Sequence, residues 1–275
     1  MSEQIQKLFD LSSKTAIITG GSGVLGTEMG KALGASGANV VILDLNGEMA
    51  DARAEDLKKL GYSALGVKAS VLDQEDLEKA RAIILDAYGK IDILVNAAGG
   101  NQAGATIMPE QTFFDLNIEA FKKVNDLNFL GTVLPTYVFA EDMAKNKQGS
   151  IINISSMSST RAITRVVGYS AAKAAVDNFT RWMSVELATK YGDGIRVNAM
   201  APGFFVTEQN RTLLTNPDGS YTQRGETVIG MTPMDRFGVP EDLNGTLLWL
   251  SSDASRFVTG IVVPIDGGFS AFSGV

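Results

Sequence analysis

The sequence predicts an α/β protein: one open, doubly wound parallel sheet of about seven strands with helices on both faces. Three observations carry this. Short β-branched runs alternate with helical patterns from one end to the other. The runs are apolar nearly throughout, as strands covered on both faces must be. The helical patterns each stop near a glycine able to end a helix.

Taken in order, the strands are TAIIT (15–19), VVILD (40–44), ALGV (64–67), IDILVN (91–96), SIINIS (150–155), IRVNAM (195–200) and IVVPID (261–266). Between them lie amphipathic stretches such as LGTEMGKALGASG (25–37), EMADARAEDLKKLG (48–61) and FTRWMSVELATKYG (179–192). A chain of 275 residues with no repeat or linker reads as a single domain over 1–275. Two segments, 97–117 and 202–240, read as long and irregular, and long loops in compact domains are commonly functional. Sheets of this kind bind ligands beyond the carboxyl ends of their strands, so chemistry is expected there.

Composition excludes several classes. Net charge is −7 and pI about 4.8, which argues against a nucleic-acid partner, since phosphate binding needs clustered Lys and Arg. No apolar run approaches a membrane span and the first residues form no apolar leader, so a cytoplasmic location without membrane contact is expected. With no His and no Cys, zinc fingers, thiol nucleophiles, imidazole acid/base pairs and disulfides are excluded. Acidic runs such as DQEDLEKARA (73–82) read as solvated helix faces, so no metal site is expected. Proton chemistry is left to Tyr, Lys, Ser, Asp and Glu.

The first strand runs into ITGGSGVLGTEMG, where Gly21, Gly23 and Gly26 satisfy G-x-G-x-x-G before a helix. Such a loop lets backbone approach a pyrophosphate whose charge the helix N-terminus stabilises; the alternative is a turn that only packs helix on strand. The second strand ends at Asp44, near the spacing at which an acid accepts from adenosine ribose hydroxyls; the alternative is an N-cap of the next helix. Leu45 and Asn46 follow, not a basic residue, which favours NAD(H) over NADP(H).

In GYSAAKA (168–174), Tyr169 and Lys173 stand one helical turn apart on one face. SIINISS ends a strand with Ser155 and Ser156, and the chain returns to Tyr169 within thirteen residues. A hydroxyl, a phenol and an ammonium therefore converge near the edge that carries the glycine loop. Free tyrosine titrates near ~10, so acid/base work at neutrality requires lowering it by roughly 2 to 3 units, to which Lys173 and an oxidised nicotinamide would both contribute.

These stretches resemble the short-chain dehydrogenase/reductase family over almost the whole chain. The matching motifs are TGGSGVLG, NAAGG (96–100), Asn128 in LNFLGT, Ser156, YSAAK and APG (201–203). The resemblance implies a Rossmann-type fold and a catalytic set in which Tyr169 is the acid/base and Ser156 bonds the reacting oxygen. Lys173 would bind the nicotinamide ribose and lower the Tyr169 pKa, and Asn128 would hold a relay water. The implied NAD site comprises Gly20, Gly21, Ser22, Gly23, Val24, Leu25 and Gly26, then Asp44, Leu45, Ser70 and Val71. It continues through Asn96, Ala97, Ala98, Gly99, Tyr169, Lys173, Pro202, Gly203 and Thr207, with Thr207 at the carboxamide. Two departures stand out: Val24 replaces the usual central glycine, and Ser70-Val71 replaces the usual Asp-Val, so less side-chain contact with adenine is expected.

Within the family the likeness is to the D-mannonate oxidoreductase group, also called fructuronate reductases. It is carried by NAAGGN, INISSMSS, APGFFVTEQNRTLLTNPDGS and DGGFSAFSGV. That likeness implies reduction of D-fructuronate to D-mannonate, with 202–240 covering the substrate and Asn101 and Ser156 touching it. A sugar-acid carboxylate calls for an arginine; Arg211 is the expected one, with Arg161 and Arg165 as further candidates. Gluconate 5-dehydrogenase or 3-oxoacyl reductase chemistry, and an NAD(H)-binding sensor without turnover, are the alternatives. A homotetramer is expected, with the apolar tail 267–275 at an interface.

Overall fold

A computed structural model describes residues 2–207 and 210–275. Its strands are β1 (Thr15–Thr19), β2 (Asn39–Asp44), β3 (Ala64–Lys68), β4 (Ile93–Asn96), β5 (Gly149–Ile154), β6 (Ile195–Pro202) and β7 (Val262–Ile265). All pair in parallel in the order β3-β2-β1-β4-β5-β6-β7, so the order reverses between β1 and β4. That reversal is the switch point where such sheets open a ligand crevice. All seven expected strands are present, with ends shifted by a residue or two.

Helices α1 (Glu3–Leu8), α2 (Val24–Ala35), α3 (Gly47–Lys59), α4 (Gln74–Tyr88), α5 (Ile118–Asn125) and α6 (Gly131–Asn146) are followed by α7 (Val167–Tyr191), α8 (Arg211–Leu214), α9 (Gln223–Gly230) and α10 (Asn244–Ser251). Alternation along each strand divides two cores. Ile18, Val40 and Ile42 pack with Met29, Leu33, Leu57, Leu247 and Leu250 on one face. Their neighbours Ile17, Val41 and Leu43 pack with Leu77, Ile84, Phe139, Met143 and Leu187 on the other. A period of two on a sheet covered twice produces this split and explains why the strands read as unbroken apolar runs.

Segment 202–240 is irregular only in part: among its described residues, two short helices, α8 and α9, interrupt the loops. Their four and eight residues fall below the length at which periodicity in a sequence stands out from a loop. The tail folds back on its own chain, with Asp266 accepting from Gly268 N and Ser270 N at 2.9 Å each, and Phe269 edge-on to Phe204.

Candidate active site

The glycine loop follows from how closely the backbones approach. Gly20 has φ +63°, and a Cβ there would lie 2.8 Å from Ala98 Cα; one on Gly26 would lie 2.8 Å from the Gly20 carbonyl oxygen. Both positions therefore exclude any side chain. The substitution at Val24 is accommodated because Val24 opens α2 with its side chain 41% exposed. Gly23 is the N-cap and supplies no side-chain acceptor, which leaves the first-turn N–H groups of α2 to a ligand. Thr19 Oγ1 accepts from Ala97 N at 3.0 Å and Ala98 N at 3.1 Å, joining the loop after β1 to the loop after β4.

Asp44 does not cap α3; Asn46 does, accepting from Met49 N at 3.1 Å. The two Asp44 carboxylate oxygens accept from Ser22 N and Asn46 N, each at 3.1 Å, so the acid sits against the glycine loop. With Leu45 and Lys68 it borders an open depression past the end of β2. Ser70 Oγ accepts from Leu72 N at 3.2 Å, and Val71 is buried against Gly131. The Asn96 side chain does not face that crevice. It is buried, and Nδ2 donates to Thr136 Oγ1 at 2.9 Å and Asn153 Oδ1 at 2.8 Å. Any ligand contact made there falls to the backbone.

The expected catalytic residues lie on three elements around the ends of β4 and β5. Asn128 occupies a π-helical turn, Asp126–Leu130, ahead of α6. Single π turns inside helices are frequent at functional sites. The Asn128 amide is fully buried and engages backbone: Nδ2 donates to Gly100 O at 2.7 Å and Val124 O at 2.8 Å, and Oδ1 accepts from Gly100 N at 3.0 Å. Ser156 is 8% exposed, and its Oγ accepts from Ser158 N at 3.2 Å and Ser158 Oγ at 3.0 Å. Tyr169 lies in the first turn of α7, beside Ser156.

Lys173 is buried; its Nζ donates to Ile154 O at 2.7 Å and stands 5.5 Å from the Tyr169 ring centroid. Burial pulls this ammonium down to about 8, against an opposing pull from Asp177. The phenol also differs from expectation: burial pushes Tyr169 up from its ordinary value, with the Ser156 hydroxyl pulling the other way. Lys173 spends its closest hydrogen bond on a carbonyl, and desolvation penalises phenolate, so the chain alone does not lower the phenol.

Asp177, one turn beyond Lys173, is a residue that the sequence reading missed. It is buried and accepts from Ser155 Oγ and, at 2.6 Å, from Ser159 Oγ. An acid at i+4 from the lysine, on the helix face that also carries Tyr169, was the available signal.

A cavity of about 500 Å³ brings Ser156, Tyr169 and Asn101 together with Gly203, Thr207 and Arg224. Thr207 N donates to Asn210 Oδ1 at 2.8 Å, and Asn101 Nδ2 donates to Thr106 Oγ1 at 2.8 Å. Segment 202–240 thus supplies one wall. Arg211 is exposed at the start of α8 and takes no part in the lining; Arg224 on α9 does. Arg161 donates through Nε to Ser270 O at 2.8 Å, which commits it to the tail. Among the described residues, no group of three or more His, Cys, Asp or Glu side chains is placed to hold a metal ion. No described helix is long and apolar enough to cross a membrane.

A glycine loop packed to backbone contact, an acid at the end of β2 and a Ser-Tyr-Lys group beside it define a nicotinamide-dependent oxidoreductase. The chain belongs to the short-chain dehydrogenase/reductase family. Residues 22–270 match a family model described as enoyl-(acyl carrier protein) reductase. An uncharacterized oxidoreductase, UxuB, of Bacillus subtilis is 47% identical over 275 residues, 97% of this chain and 98% of that protein. A 2-dehydro-3-deoxy-D-gluconate 5-dehydrogenase of Formosa agariphila is 34% identical, covering 97% of this chain and 96% of its own length. The crystal structure of a candidate D-mannonate oxidoreductase from Haemophilus influenzae with bound NAD superposes with a TM-score of 0.91. It is 44% identical and covers 98% of this chain and 100% of that one.

Proposed function

We propose that this protein transfers hydride between NAD(H) and the keto or hydroxyl group of a sugar acid, with D-fructuronate and D-mannonate as the pair. The observation that carries the reading is that Ser156 and Tyr169 line one cavity large enough for a six-carbon acid, walled by Gly100 of the same loop whose Ala98 packs on Gly20. The likeness to the Haemophilus influenzae protein supports the substrate, and the likeness to the 2-dehydro-3-deoxy-D-gluconate 5-dehydrogenase keeps hydride transfer at C5 of a gluconate-type acid as the second reading.

The backbone from Gly20 to Gly26 would hold the pyrophosphate at the uncapped N-terminus of α2, and Asp44 would accept from the adenosine ribose hydroxyls. Ala97 to Gly99, Pro202, Gly203 and Thr207 would border the nicotinamide half, and Lys173 would reach its ribose. When bound, the cofactor supplies or accepts the hydride. In the reducing direction the Tyr169 phenol donates its proton to the carbonyl oxygen, and the Ser156 hydroxyl donates a hydrogen bond to the same oxygen. Asn128 fixes the loop at Gly99–Gly100, after β4, beside which the nicotinamide would be held. Asp44 disfavours a 2′-phosphate by like charge, which supports NAD(H) over NADP(H). Exposed Tyr137, Trp182 and Val185 on α6 and α7 support assembly of several copies.

The experiment is to follow NADH and NADPH absorbance with a panel of keto-uronates, keto-gluconates, 3-oxoacyl thioesters and neutral ketoses. D-Fructuronate with NADH is the expected best pair. Tight NADH binding without turnover of any compound would replace this reading with that of an NAD(H) sensor.

A further inference from the structure

Arg224 lines two cavities at once. The first holds Ser156 and Tyr169; the second, about 320 Å³, is lined by Arg165 and excludes both of those residues. Arg224 therefore stands at the partition. It is half-buried in the first turn of α9, and among the described residues its one side-chain hydrogen bond is to Thr164 Oγ1 at 3.3 Å. A guanidinium carries five N–H donors, so most of its capacity is unused.

Arg165 faces it from the Ser-to-Tyr loop. Its φ of +78° is strained for a residue with a side chain, and its carbonyl accepts from Ile107 N at 3.0 Å, which ties that loop to segment 97–117. Burial and the charge of Arg165 both push Arg224 down. Neither arginine pairs with a described acid, although the chain has 31 acidic residues against 24 basic ones. Two half-buried cations that line one cavity with no described acid paired to either form an anion site.

We infer that Arg224, supported by Arg165, recognises the substrate carboxylate, and that the substrate is an open-chain hydroxy acid whose carbonyl lies several carbons from that carboxylate. The second part follows from the partition. The reacting carbon must meet Ser156 and Tyr169 inside the first cavity, while the carboxylate lies where the two cavities join, so a 2-keto acid places its charge too near the phenol. The assignment rests on the sugar-acid reading above and names the group that would select for it.

The test compares the parent enzyme with Arg224→Met, Arg224→Lys and Arg165→Met on three kinds of ketone. These are 5-keto hexonates (D-fructuronate and 5-keto-D-gluconate), 2-keto-D-gluconate, and D-fructose, which has no carboxylate. The parent should prefer the 5-keto hexonates to the 2-keto acid by at least roughly tenfold in kcat/KM. Arg224→Met should raise KM for them about thirtyfold, as expected for losing a charge-assisted pair, with kcat falling much less. Arg224→Lys should recover part of that loss, Arg165→Met should show a smaller rise, and the loss on D-fructose should be several-fold smaller. Calorimetric titration of D-mannonate into the enzyme with NADH should show the same order of weakening.

An unchanged KM in Arg224→Met, or a preference for the 2-keto acid, overturns the assignment while leaving the sugar-acid reading in place. If the parent turns over none of these acids, the function proposed above fails. The D-mannonate titration then decides the arginine assignment separately, and equal binding to parent and Arg224→Met overturns it.

Discussion

The side-chain amide of Asn128 brackets the backbone of Gly100, donating to its carbonyl at 2.7 Å and accepting from its N–H at 3.0 Å. The bracket leaves no room beside Gly99, where a Cβ would lie 2.6 Å from Asn128 Oδ1 and 3.3 Å from Lys173 Nζ. Gly99→Ala should therefore destabilise the fold by about 1 to 3 kcal/mol through overpacking and lower kcat/KM at least tenfold. Asn128→Ala, which orphans the Gly100 groups, should cost about as much. Because both residues act on one contact, the double variant should be less destabilised than the sum, and a denaturation cycle checks this. Additive losses would show that the bracket and the glycine are independent.

Tyr169→Phe should reduce turnover by three orders of magnitude or more while changing the affinity for NADH little, since the lost atom is the proposed proton donor. Single-turnover kinetics and fluorescence titration of NADH separate the two effects. A variant retaining a tenth of the parent rate would place the proton transfer elsewhere.

The raised phenol gives the pH profiles a sign. With Tyr169 as the proposed donor, reduction needs the protonated phenol, so its kcat/KM with saturating NADH should stay flat through neutrality and fall only in strong alkali. Oxidation needs the phenolate, and the positive charge of oxidised nicotinamide favours that form. Its rate should climb with pH along a limb lying below the reduction limb. Coincident limbs would mean that the cofactor charge does not reach the phenol.

Lys173, drawn down to about 8 by burial, makes a stability prediction. A lysine with a lowered folded-state pKa destabilises the protein wherever both states are protonated, below about 8. That cost is relieved as pH rises from there toward the unfolded value near ~10.4. Lys173→Met should lose activity yet match or exceed the parent in stability at pH 7, by up to about 3 kcal/mol. The difference should shrink as pH climbs. Denaturant titrations across this range check it, and a destabilised variant at every pH would show that the Ile154 hydrogen bond outweighs desolvation.

Asp44 accepts from Ser22 N and Asn46 N beside the glycine loop, with Lys68 bordering the same depression, where the proposed function puts the adenosine ribose. Asp44→Ala should raise KM for NADH roughly tenfold, the loss of one to two hydrogen bonds, and lower KM for NADPH by removing like-charge repulsion. Steady-state kinetics with both cofactors decide this. An NADPH preference in the parent enzyme would sink the assignment of Asp44.

Much of this protein is legible in its sequence because the relevant constraints are local. Each strand is announced by a run of β-branched residues, and the sheet follows from their alternation with helices. Gly20 and Gly26 are fixed by the backbone turn they permit, and Tyr169 and Lys173 share a face because four residues make one helical turn. What remained hidden depends on groups far apart in sequence or on burial. Asn96 and Asp44 both sit at strand ends, yet only packing turned one into the sheet and left the other at the crevice. Asn128 reaches Gly100 and Asp177 gathers Ser155 and Ser159 only once the helices have docked. The direction of the Tyr169 pKa is likewise set by enclosure, which no spacing of residues encodes. Arg211 and Arg224 belong to the same segment and look equivalent in composition; the placement of α8 and α9 over the cavity put one in water and the other in its wall.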